Sequence, residues 1–60
     1  MRFTLEMACD NAAFIDAGAS VEAARILRDL ADKLERDGDQ RDRVLLDING
    51  NRIGVARFED

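Results

Sequence analysis

The chain has 60 residues, 37% of them charged, with a net charge of −4, one cysteine and no histidine. That length admits a single domain with a modest core and excludes a second. A lone cysteine excludes an internal disulfide, and net acidity argues against a generic nucleic-acid binder with a basic face.

Arg2 to Ala8 alternates, with Phe3, Leu5 and Met7 on one face and Arg2, Thr4 and Glu6 on the other, which predicts a half-buried strand. With charges inside that pattern and no long apolar run, the segment reads as neither a signal peptide nor a membrane span. The expected location is cytoplasmic. Between Cys9 and Ala19, Asp10 or Asn11 is placed to cap a short helical turn over Ala12 to Ile15, which Gly18 can end.

Ser20 to Gly38 carries the clearest helical periodicity. Ala23, Ile26, Leu27, Leu30, Ala31 and Leu34 fall on one side, which should be buried. Glu22, Arg25, Arg28, Asp29, Asp32, Lys33 and Arg36 fall on the other, with Asp29–Lys33 and Asp32–Arg36 in the favourable i, i+4 order. Ser20 suits the N-cap, and Gly38 should stop the helix near Asp37.

Arg43 to Ile48 resumes alternation, Asn49-Gly50 predicts a two-residue type I′ hairpin turn, and Arg52 to Phe58 forms the return strand. In that register Leu46 pairs with Ile53 and Val44 with Val55 on the core face, Asp47 faces Arg52, and Leu45, Ala56 and Phe58 point away from the helix. The expected fold is α+β in the order β-α-β-β. One long amphipathic helix covers one face of a three-stranded antiparallel sheet, with the third strand in the middle and a short extra helix after the first.

Little in the chain points to catalysis. Cys9 has an acid beside it and no histidine to activate it, and its expected role is packing. No pair of carboxylates lies in an apolar setting that would separate two pKa values, so no enzyme is expected. Asp37, Asp39 and Asp42 surround Gly38 but lack the order and final glutamate of a calcium loop. Gly50 and Gly54 precede no helix that would cradle a phosphate. Neither metal nor cofactor is expected.

The stretches RFTLEMACDNAAF, ARILRDLADKL and DINGNRIGVARF together resemble small stand-alone proteins of bacteriophages and prophages. Among these, compact acidic α/β domains look like anti-CRISPR inhibitors. That resemblance implies a non-enzymatic protein that binds a basic CRISPR-Cas subunit and blocks DNA recognition, without itself touching nucleic acid or membrane. Asp29, Asp32, Glu35, Asp37, Asp39 and Asp42 run from the helix surface into its exit loop and are the candidate contacts for such a partner. The alternative is a protein-interaction module, monomeric or weakly homodimeric, that uses an apolar patch of Phe14 with Ile15 or Leu45 with Phe58. A third reading has Arg41, Arg43, Arg52 and Arg57 contacting DNA, against the net charge.

Overall fold

The computed structural model describes residues 1–60. Its elements are β1 (Arg2–Met7), α1 (Ala12–Ala17), α2 (Ala19–Asp37), β2 (Arg43–Leu46) and β3 (Arg52–Glu59). The sheet is antiparallel throughout in the order β1-β3-β2, so β3 lies in the middle as expected and both β1 and β2 are edges. Both helices cover the same face. Phe14 of α1 joins Ile26 and Leu30 of α2 and Leu45, Ile53 and Ala56 of the sheet in one core.

Helix α2 ends where the sequence places it. Gly38 adopts a left-handed conformation and its N–H donates to the Leu34 carbonyl, 3.0 Å away. Its start lies two residues earlier than expected: Gly18, not Ser20, holds the N-cap position, and the Gly18 carbonyl accepts from the Val21 and Glu22 amides. Asn11 caps α1 by position only, because its side chain is drawn away to Asp47.

The hairpin corrects the expected strand faces. No residue other than glycine has positive φ, so Asn49 cannot serve a type I′ turn. The loop has three residues instead, Ile48 to Gly50, with the Gly50 amide donating to the Asp47 carbonyl (3.0 Å), the Asp47 amide to the Asn51 carbonyl (2.9 Å), and Gly50 at φ 84°. The extra residue is returned by a bulge: Leu46 opposes Arg52, Leu45 opposes Gly54, and Ile53 is left over and turned into the core.

Val44 still pairs with Val55, but on the solvent side of the sheet. Leu45 and Ala56, expected to face away, are core residues at 4% and 2% exposure. The longest apolar alternation, Val44-Leu46-Ile48, misled because Ile48 belongs to the loop. Arg43 occupies a buried position on the helix side and is accepted there because Asp37 and Asp39 bind its guanidinium.

Beside the bulge, β1 runs close against β3. A Cβ at Gly54 would overlap the Glu6 carbonyl oxygen and crowd the Met7 Cα, so only glycine lets the strands approach here. Met7 and Cys9 pack against the core as the chain leaves β1 for α1.

A candidate interaction surface

The apolar side of α2 is only partly buried. Ile26 and Leu30 are covered and Ala23 and Leu34 are half-covered, but Leu27 remains 45% exposed and Ala31 is open. Glu22, expected on the charged side, is buried at 2% exposure. The helix is therefore rotated from the orientation that its apolar stripe predicts, and the cause lies at the top of the hairpin.

There the Glu22 carboxylate accepts two hydrogen bonds from Arg25, at 2.8 and 3.2 Å, and one from the Ile48 amide at 2.9 Å. The Arg25 guanidinium holds its carboxyl below the usual range against the opposing effect of burial, with help from the Ile48 amide. Asp47, at 4% exposure, accepts from the Asn49 and Asn51 amides, both at 2.9 Å, and from the Asn11 and Asn51 side chains. Burial pushes the Asp47 carboxyl up, and these four donors together outweigh it, leaving it below its ordinary value. This polar clamp fastens the N-terminus of α2 and the start of α1 to the hairpin loop.

The clamp was missed because Glu22 reads as a surface residue. The visible signal was Asp47 at the head of an Asx-type turn, two residues before Asn49.

With Glu22 turned inward, the flank bearing Asp29, Lys33 and Arg36 lines a groove against Arg43, Val44 and Leu46 of β2. At about 100° per residue, Leu27, Ala31 and Leu34 then lie on the opposite flank, toward β1. On that side of the same sheet face, Phe3 is paired with Phe58 and Leu5 with Ala56. Phe3 and Leu5 are 43% and 36% exposed, and the Phe3 and Phe58 rings stack at a tilt with centroids 4.7 Å apart. These side chains leave an incompletely covered apolar strip on the β1 side of α2, a shallow open trough and not an enclosed cavity.

The six acids proposed for a basic partner do not form one surface. Asp29 binds Lys33 at 2.9 Å, and that hydrogen bond holds its carboxyl below the usual range. Asp37 is shared by Arg36, Arg41 and Arg43, and Arg36 foremost lowers its pKa. Asp39 binds Arg43 at 2.8 Å and Asp42 reaches Arg57 at 3.6 Å. Asp32 and Glu35 alone are exposed without an ion-pair partner, and the expected Asp32–Arg36 pair does not form.

The four apolar candidates also separate. Phe14 is the most deeply buried large side chain, at 1%, and Leu45 is in the core, so neither can serve as a contact in the folded protein. Phe14 is inserted by α1, whose short amphipathic turn must bury one of two adjacent large residues, and Ile15 is left 74% exposed. Phe58 is half-buried and belongs to the trough through Phe3. Of the four arginines considered for DNA, Arg43 is buried and bound to acids, while Arg41 and Arg57 also meet carboxylates.

No helix is long and apolar enough to cross a membrane. No family model, curated protein or solved structure matches this chain.

Proposed function

We propose that the chain is a non-enzymatic protein-interaction domain that takes a partner polypeptide against the trough between α2 and β1. One observation carries this reading: Phe3, Leu5, Leu27 and Phe58 are incompletely covered on one face, beside a strand edge with no neighbour. Apolar side chains next to unpaired backbone donors and acceptors are what strand addition uses, the backbone supplying hydrogen bonds and the pockets supplying specificity.

The molecule's dimensions agree with an uncovered face. Its radius of gyration is 11.8 Å, against roughly 10 Å for a compact domain of this length. Its accessible surface is 4262 Å², against roughly 3,900 Å² for a monomer of its mass.

A second, acid-led reading has the chain inhibiting a basic nucleic-acid-binding partner, of which a CRISPR effector subunit is one kind. It is supported by the net charge of −4 and by exposed Asp32 and Glu35. Immobilised protein exposed to a bacterial lysate at low and high salt separates the two readings. The trough reading expects a bound polypeptide, a lysate protein or a second copy of the chain, whose binding survives high salt, is lost with Leu27→Glu and is kept with Asp32→Lys/Glu35→Lys. The opposite pattern, with salt-sensitive binding lost on charge reversal, overturns it in favour of the acidic surface.

A further inference from the structure

Resting on that reading, we infer that the polypeptide taken at the β1 edge is a second copy of this chain, paired antiparallel through β1 about a two-fold axis at Thr4. The observations begin with which backbone groups are free. The Ala8 amide donates to the Ile53 carbonyl at 2.8 Å. Backbone groups of alternate strand residues point to opposite edges, so Glu6, Thr4 and Arg2 aim theirs at β3, while Phe3, Leu5 and Met7 aim theirs at the open edge. A second β1 must therefore match odd-numbered residues with odd-numbered residues, which leaves three central registers.

Centring on Phe3 sets Arg2 opposite Thr4 of the second copy. Centring on Leu5 sets Arg2 opposite Ala8 and Thr4 opposite Glu6. Centring on Thr4 sets Arg2 opposite Glu6, Thr4 opposite Thr4 and Phe3 opposite Leu5, each twice or on the axis. Only this last register meets every charge with its opposite, and it does so on the outer face, where Arg2, Thr4 and Glu6 all lie.

On the helix-bearing face the same register brings the incompletely covered Phe3 and Leu5 of each copy against those of the other. The edge is also unguarded: RFTLEM has no proline, no lysine and no bulge along its six residues. The β2 edge offers a contrast, with only four residues, entered beside the Arg41–Asp39 pair and left through the Asp47 loop. Pairing through β1 gives a six-stranded sheet with both α2 helices on one side.

Arg2 already lies 3.6 Å from Glu59 of its own chain, at largely exposed atoms, so Glu6 of the second copy meets a guanidinium that is held loosely.

Charge exchange and a crosslink test the register together, with mass measured by sedimentation equilibrium. Arg2→Glu alone and Glu6→Arg alone should each raise the dimer dissociation constant about tenfold or more, because two attractive pairs become repulsive. Arg2→Glu/Glu6→Arg should restore it. In a Cys9→Ser background, Thr4→Cys should give an interchain disulfide on mild oxidation, since facing Cα atoms at such a non-hydrogen-bonded pair lie about 4.5 Å apart, within disulfide range. Glu6→Cys in the same background should not.

A dimer indifferent to both charge reversals, or one crosslinked through Glu6→Cys and not Thr4→Cys, overturns the register. A monomer at every concentration, with native circular dichroism, overturns the second copy as occupant. If that monomer still retains a protein that Leu27→Glu releases, the trough reading stands without the homodimer; if the retained protein ignores Leu27→Glu, both fall.

Discussion

The two sides of the helix-bearing face solve opposite problems. On the β2 side, charged groups are enclosed and matched: Arg43 is 8% exposed in its side chain and bound by Asp37 and Asp39, Glu22 by Arg25 and the Ile48 amide, Asp47 by four donors. On the β1 side, apolar groups are left incompletely covered. Polar residues at the hairpin end thus set the rotation of α2, and its apolar stripe yields. A buried carboxylate without its partners costs more than a half-exposed leucine, so the clamp wins.

The largest expected effect breaks the join between the two sides. Gly54→Ala places a Cβ on the Glu6 carbonyl, and relief requires β1 to move off β3. The cost should exceed the ~1–3 kcal/mol of ordinary overpacking, because the opposing atoms are backbone. In a 60-residue domain this should abolish the cooperative urea transition followed by far-ultraviolet circular dichroism. A transition with an unchanged midpoint would mean that β1 is not held against β3 as described.

Next comes the clamp. Glu22 and Asp47 both have carboxyl groups held below their unfolded values, so their stabilisation is in full force above about pH 4–5 and is lost as pH falls through the folded pKa. The urea midpoint should be flat from neutral pH to about 5 and drop below about 4. Asp47→Ala, which orphans the Asn49 and Asn51 amides together with the Asn11 side chain, should lower the midpoint at pH 7 and flatten that acid dependence. An Asp47→Ala protein with the parent's midpoint and the parent's acid limb would remove the clamp from the account.

The contrast also explains what could be read in advance. Strand and helix spans were legible because each depends on local pattern: alternation from Arg2, the Gly38 stop, the Asn49-Gly50 hairpin. A short loop sets β2 beside β3 but leaves β1 free to pair with either, and the crossover needed for a parallel β1–β2 pair only tilts the choice toward the observed order. Strand faces were not legible: the bulge at Ile53 restores the register that the three-residue loop shifts, so the error lies in the apolar alternation of Val44, Leu46 and Ile48, which outweighs Leu45 and gives no sign that Asp47 points inward. The candidate acids were visible as residues but not as partners: their neutralisation by Arg36, Arg41, Arg43 and Lys33 depends on how the helix exit folds back. Periodicity alone places Leu27 in the core, because it cannot see that Glu22 turns the helix. Alternation sets Phe3 and Leu5 on one common face, but that the helix leaves them incompletely covered depends on the same rotation.

The smallest expected effect is the one that sharpens the comparison most. Leu27 and Leu30 are three residues apart on one amphipathic helix and are chemically identical, yet one is 45% and the other 5% exposed. Leu30→Ala removes a core side chain and should cost about 2–5 kcal/mol. Leu27→Ala loses only partial cover, and should cost about 1 kcal/mol or less. Thermal or urea unfolding of the two variants therefore measures how far the helix is rotated. Equal losses would mean that Leu27 is buried in solution, either by its own chain or by a partner already in place. Dilution separates those cases: only a partner's cover makes the Leu27→Ala loss shrink as protein concentration falls.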